Sequence, residues 1–295
     1  MTMVYESDDQ EPQNTNPADV IDTKALTEKC GVCGIFNHED SAALATLALH
    51  ALQHRGQEAS GIVTVDEGNF HAHRGIGRVG DIFSDPKILE RLPGHSAIGH
   101  NRYATSGRTV LRNVQPIYAD LALGGFAIAH NGNLTNAMTL RQELVSRGSI
   151  FQSTSDTEVI VHLMAQAMGR DTTSRLIAAL QQVQGAYALI GISSDRMIGV
   201  RDPYGVRPLV LGKLENAYVL ASESCALDIM GAEFIRDVAP GEMVIIREEG
   251  IQSLHPFEVP KNSRFCVFEY IYFSRPDSVS EGRSVYAMRK AIGEE

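Results

Sequence analysis

A thiol heads the segment Cys30-Gly31-Val32-Cys33-Gly34-Ile35-Phe36, which follows 29 residues with no folded pattern. A cysteine released as a first residue would hold a nucleophile and a base together. Its α-amine titrates near pH ~8 and its thiol near ~8.5, so either can pass a proton to the other at neutral pH. Residues 1–29 hold seven acids (Glu6, Asp8, Asp9, Glu11, Asp19, Asp22, Glu28) against Lys24 and Lys29, half of the chain's net charge of −10. Such a stretch buries too little apolar surface to offset its ordering entropy. It lacks the basic start and apolar run of a secretory signal and is too acidic for a transit peptide. The expectation is an acidic propeptide, removed to expose Cys30; a retained acidic tail is the alternative.

Four further polar clusters sit in apolar surroundings: Gln53-His54-Arg55-Gly56-Gln57-Glu58, His100-Asn101-Arg102-Tyr103, His130-Asn131-Gly132-Asn133 and Ser153-Thr154-Ser155-Asp156-Thr157-Glu158. Singly each has an ordinary explanation. Asn-Gly is most often a turn, Asp156 a first-turn partner of a helix dipole, Arg102 a solvated charge. Ser155 and Glu158 have capping-box spacing.

The elements that must position these clusters read as mixed α and β. Strands are expected at 31–36, 61–65, 70–74, 97–103, 121–130, 187–193, 197–201, 209–213, 217–221 and 242–247. Asp40 or Ser41 can cap a helix with Leu44, Leu47, Ala48, Ala51 and Leu52 on one face. Helices are also expected at 137–146, 158–168 and 174–183, with Gly148 and Gly185 as C-terminal stops. Strand pairs, a block of helices, then strand pairs again is not the alternation of a parallel sheet. A layered α+β fold with antiparallel sheets fits it.

Composition, at 43% hydrophobic and 21% charged with no membrane-length apolar run, is that of a globular chain. An acidic balance argues against a nucleic-acid surface. Four cysteines without a signal sequence are expected to be reduced and the location cytoplasmic. A Cys30–Cys33 bridge would strain a strand whose residues three apart point to opposite faces, so Cys33 reads as a small buried hydrophobe, and Cys225 as structural.

CGVxGIF, LQHRGQE, GHNRYATSG, AHNGNLTN and STSDTEV, in this order, resemble the glutaminase domain of class II, N-terminal-nucleophile glutamine amidotransferases. RDPYGVRP, ASESCA and EYIYFSRPDS resemble the branch of that family that uses phosphoribosyl pyrophosphate in purine synthesis. The resemblance implies a four-layer α-β-β-α sandwich with two antiparallel sheets. It implies that Cys30 attacks the carboxamide of glutamine to form a thioester and release ammonia, with Asn131 and Gly132 as oxyanion donors. Arg102 would bind the substrate carboxylate and Asp156 its ammonium, while Arg55 is grouped with the substrate-binding residues as a support beside the nucleophile. The implied domains are 30–262 for the glutaminase and 263–295 for the start of a truncated phosphoribosyltransferase domain. The expectation is therefore glutaminase activity alone from this chain, with phosphoribosyl pyrophosphate a substrate, and a homo-oligomer the assembly, only of a longer form. No cofactor is implied for the glutaminase. Longer relatives use Mg²⁺ and, in a subgroup, a [4Fe–4S] cluster; Cys266 matches one cluster ligand, the others being absent, with a packed thiol the equal alternative. Rival readings are another class II amidotransferase, such as glucosamine-6-phosphate synthase or asparagine synthetase, and a non-catalytic domain on the same fold. The first would not carry EYIYFSRPDS; the second would be marked by loss of Cys30, Arg102, Asn131 or Asp156.

Overall fold

The computed structural model describes residues 30–103 and 110–295. The acidic segment 1–29 and the end of the GHNRYATSG run lie outside them. Two antiparallel sheets stack face to face. The first contains β1 (Gly31–Phe36), β2 (Ala59–Asp66), β3 (Asn69–Ile76), β4 (Ser96–Arg102), β9 (Val210–Leu214), β10 (Ala217–Ala221) and β11 (Glu233–Asp237), in the order β11-β9-β10-β1-β4-β2-β3. The second contains β5 (Ile117–Leu121), β6 (Gly124–Leu134), β7 (Gly185–Ile192), β8 (Met197–Arg201), β12 (Met243–Arg247) and β13 (Gly250–Leu254), in the order β13-β12-β8-β7-β6-β5.

Pleat alternation divides the core into three slabs. Val32 and Phe36 of β1, Val63 of β2 and Ile98 of β4 meet Ala127, Ala129, Ala188 and Ile190 between the sheets. Cys33 and Ile35 face the other way, onto α1 (Ser41–Ala51) and α7 (Cys225–Met230). On the far side of the second sheet, α4 (Ala137–Ser146), α5 (Thr157–Gln166) and α6 (Thr172–Leu180) bury Leu140, Leu144, Val159, Ile160, Leu163 and Leu176 against Ile128 and Tyr187. This is the four-layer α-β-β-α sandwich that the sequence resemblance implies. Gly34 shows how closely the sheets approach: a Cβ there would lie 2.5 Å from the Met197 sulfur and 2.9 Å from Ile190.

Several boundaries depart from the expected ones. The strand expected at 121–130 is β6, which starts at Gly124 after the turn from β5 and continues through Asn131-Gly132, so this Asn-Gly is strand and not turn. Of the expected face of α1, Ala48, Ala51 and Leu52 are buried, together with Ala45 and Leu49; Leu47 is exposed, and Asp40 makes no side-chain cap. Gly148 does follow a helix end in the left-handed region, with the Ser149 N–H donating to the Leu144 carbonyl. Gly185 instead opens β7. Strands β11 and β13 escaped notice because each lies at a sheet edge and is half exposed.

Residues 263–295 pack against the sandwich. They comprise a wide helical turn at Glu269–Phe273, the hairpin β14 (Val279–Ser280) and β15 (Arg283–Ser284), and α8 (Val285–Glu294). Two short helices, α2 (Val79–Ile82) and α3 (Pro86–Glu90), precede β4. Among the described residues no helix is long and apolar enough to cross a membrane.

Candidate active site

The same alternation that builds the inter-sheet slab brings the polar clusters together at one end of it. Cys30 precedes β1 and continues the face of Val32, Arg102 ends β4 on the face of Ile98, and Asn131 extends the face of Ala127 and Ala129. The Gly31–Asn101 pair sets β1 against β4, so Cys30 and Arg102 are the next residues on adjacent strands. A cavity of about 380 Å³ opens there, lined by Cys30, Arg102, Gln115, His130, Gly132 and Asp156, with residues of α4 forming its outer rim.

Strand β5 pairs with β6 only as far as Ile128, leaving the remaining edge of β6 with no strand beside it. Side chains occupy that edge instead. The His130 N–H donates to Gln115 Oε1 at 2.7 Å, and the Leu134 N–H donates to Asp156 Oδ2 at 3.0 Å. Gly132 lies between them with φ +144°, and a Cβ there would fall 2.0 Å from the Ala186 carbonyl oxygen. Only glycine fits that position.

The charges are arranged in opposition. The Arg102 guanidinium donates through one terminal nitrogen to the Asn113 carbonyl at 3.2 Å, while its buried Nε has no hydrogen-bond partner among the described residues. Asp156 stands at the start of α5, with Oδ1 3.7 Å from His130 Nδ1. Burial works against its charge, but His130 and the N–H groups of Leu134 and Thr157 outweigh it and hold the carboxyl below its ordinary range. His100, fully buried, reaches the His130 carbonyl at 3.1 Å; burial, then Arg102 and His130, push it down to about 3, so it is neutral. Asn131 is fully buried, and neither atom of its amide has a hydrogen-bond partner among the described residues.

The expected capping box at Ser155 and Glu158 is shifted. The Glu158 carboxylate accepts from the N–H of Gln152 and of Ser153 and from the Ser153 hydroxyl, bracing the turn that carries Asp156. Arg55 does not line the cavity. It is fully buried, its Nε donates to the Cys30 carbonyl at 3.2 Å, and its terminal nitrogens bond Glu223 and Glu269. It therefore holds the Cys30 backbone from behind the cavity wall. Cys33, donating to the Ala45 carbonyl, and Cys225, against Glu223, are both pushed up to about 12, chiefly by burial, and are inert thiols. Sequence reasoning missed His130 and Gln115 as parts of the site. His130 stood inside a quoted motif, but only the fold shows it against Asp156.

A family model described as a glutamine amidotransferase domain matches residues 100–228. Amidophosphoribosyltransferase of Rhizobium etli is 51% identical over 280 residues, which is 93% of this chain and 56% of that protein. The solved glutamine phosphoribosylpyrophosphate amidotransferase of Bacillus subtilis, complexed with ADP and GMP, is 44% identical with a TM-score of 0.84, covering 90% of this chain and 57% of that one. The chain carries the glutamine amidotransferase domain of the amidophosphoribosyltransferase family. It spans a little over half the length of these relatives. A glutamine aminotransferase class-II domain protein of Silicibacter pomeroyi, 12% identical with a TM-score of 0.51, matches 78% of this chain and all of its own, which shows the shared fold. The match to the amidophosphoribosyltransferases, together with the EYIYFSRPDS run, sets aside the glucosamine-6-phosphate synthase and asparagine synthetase readings. The family model's span includes Arg102, Asn131, Gly132 and Asp156 but begins after Cys30 and Arg55.

Cys266 is half buried with its N–H donated to the Val206 carbonyl, and among the described residues no three His, Cys, Asp or Glu side chains come within reach of one metal ion.

Proposed function

We propose that this amidophosphoribosyltransferase domain hydrolyses glutamine in the 380 Å³ cavity, with Cys30 as nucleophile after removal of residues 1–29. The observation that carries the reading is the convergence on one cavity of a thiol, an arginine with an unpaired nitrogen and a carboxylate held charged, with the buried unpaired amide of Asn131 lying behind the lining residues His130 and Gly132. Glutamine is a zwitterion with a carboxamide at its far end, so Arg102 takes the α-carboxylate, Asp156 the α-ammonium, and the amide carbon falls to Cys30.

The freed α-amine of Cys30 accepts the thiol proton, and the thiolate adds to the carboxamide carbon. The oxyanion is received by the Asn131 amide and the Gly132 N–H, which by pleat alternation shares the open β6 edge with the donors of His130 and Leu134. Collapse of the adduct breaks the C–N bond. The α-ammonium returns its proton to the departing nitrogen, and ammonia leaves a γ-glutamyl thioester. Water, deprotonated by the same amine, adds to the thioester, and glutamate leaves as the thiol is restored. The balance is glutamine plus water to glutamate plus ammonia.

The longer form is proposed to pass this ammonia to phosphoribosyl pyrophosphate, as a cytoplasmic homo-oligomer in purine synthesis. The test is glutamate release from glutamine by the processed chain. Cys30→Ala should abolish it while the fold, read by circular dichroism, is unchanged. Equal rates from Cys30→Ala and the parent would overturn the assignment. Intact mass should place the N-terminus of active protein at Cys30; full activity in protein that keeps residues 1–29 would refute the processing.

A further inference from the structure

The guanidinium that holds Cys30 is itself held from the far end of the chain. Arg55 donates from Nε to the Cys30 carbonyl at 3.2 Å and from one terminal nitrogen to Glu223 at 2.6 Å. Its two terminal nitrogens also grip Glu269 as a fork, at 2.8 to 3.0 Å. Glu269 is fully buried and lies 214 residues from Arg55, in the wide helical turn of Glu269–Phe273. That turn is bound to the same cluster from several sides. The Ser274 hydroxyl donates to Glu269 at 2.8 Å, while the Arg275 N–H and the Ser278 hydroxyl donate to Glu223 at 2.9 and 2.7 Å. Arg207 stands 3.6 Å from Glu269, and His54 bonds Glu223 at 2.7 Å.

A buried guanidinium is costly unless its charge and its donors are met. Burial opposes the charge of Arg55, and Glu269 followed by Glu223 outweighs that opposition. The arginine thus keeps its place, and its Nε its aim, because two carboxylates fix the other end. The aim matters for an N-terminal nucleophile. A first residue has no preceding peptide, so the direction of its amine and thiol about Cα depends on the rotation that orients its own carbonyl. The Arg55 bond fixes that carbonyl.

Resting on the glutaminase reading above, we propose that Glu269 is a positioning residue for glutamine hydrolysis. Through Arg55 it sets the direction of the Cys30 thiol without touching the substrate.

The experiment measures glutaminase kinetics of the full processed chain carrying Glu269→Gln, which keeps the shape and removes the charge. Misplacing a reacting group by about 1 Å can cost ~10²-fold, so kcat should fall ~10- to 100-fold while KM stays within about twofold. Alkylation of Cys30 by iodoacetamide should slow in parallel. Tyr270→Phe is the control. It removes the hydroxyl bond to the Ser280 carbonyl while keeping the Glu269 carboxylate and its bonds to Arg55. Lower thermal stability with unchanged kcat in Tyr270→Phe, beside lowered kcat in Glu269→Gln, supports the inference. Loss of kcat in step with stability in both variants, or a normal kcat in Glu269→Gln, overturns it. Should Glu269→Gln fail to fold, Ser274→Ala, which removes one donor from Glu269, must lower kcat with KM unchanged or the inference is lost. If Cys30→Ala itself retains activity, the glutaminase reading has failed, a result separate from these.

Discussion

Asn131→Ala should uncouple stability from activity in a direction opposite to most core substitutions. The side chain is completely buried, yet both amide atoms lack a hydrogen-bond partner among the described residues. A buried polar group left unsatisfied costs about 1–3 kcal/mol. Truncation removes that cost and leaves a small void, whose own penalty of about 1–2 kcal/mol, scaled down from larger deletions, nearly cancels it. The folded state should therefore change by about 1 kcal/mol or less. In the transition state the amide would donate to the oxyanion, and removing one such donor elsewhere costs ~10²–10³ in turnover, about 2.7–4 kcal/mol. The assays are urea denaturation for stability and steady-state glutamate release for kcat and KM. A loss of more than about 3 kcal/mol in stability would mean that the amide has a structural partner in the free protein. A raised KM with kcat intact would place Asn131 in ground-state binding and refute the oxyanion role.

Three further outcomes follow from the same geometry. On the proposed glutamine pose, Arg102→Ala and Asp156→Asn would each leave one charge of the substrate unpaired, and a hydrogen bond to a charged group contributes about 1.5–3 kcal/mol. KM for glutamine should rise ~10- to 100-fold, with kcat affected less, in the glutamate assay. His100 is held neutral in the fold, with its pKa lowered from 6.5 to about 3. The unfolded chain then binds the extra proton between those values, so stability should fall as pH drops below 6.5, and His100→Gln should flatten that limb in denaturation measured against pH. Glu223, lowered from 4.5 to about 2, adds a later loss: burial opposes its charge, but Arg55 and His54 favour it, and that stability disappears as pH falls from 4.5 towards 2. Replacing Glu223 with Gln should remove the second limb and leave the first.

Much of the site was legible because its constraints are local. Gly132 sits where a side chain would strike the Ala186 carbonyl, and Asp156 heads a helix. Such positions admit few residue types, and five of these runs in order suffice to identify the family resemblance. The apolar runs of the central strands were equally plain, since β1 is buried on both faces along its whole length. The edge strands were not, because β13 has one flank and one face towards solvent and reads as polar loop. Nor was the continuation of β6 through Asn131-Gly132. A dipeptide that usually turns is kept extended there by pairing with Ala188 and Tyr187 of β7.

What the sequence by itself determined was the inventory: a thiol at the head of a strand, an arginine at the end of another, an amide beside a glycine, a carboxylate at a helix start, and the sandwich that such strands and helices build. Tertiary structure alone decided which of these face one another and which serve from behind. Arg55 could be assigned to the substrate from its place in a motif. The fold closes it between Glu223 and Glu269, outside the cavity lining, and turns its remaining donor on the Cys30 carbonyl. The physical reason is that a motif records a side chain's chemistry, while its role follows from the charges that surround it once water is excluded. Here those charges come from positions 168 and 214 residues away along the chain.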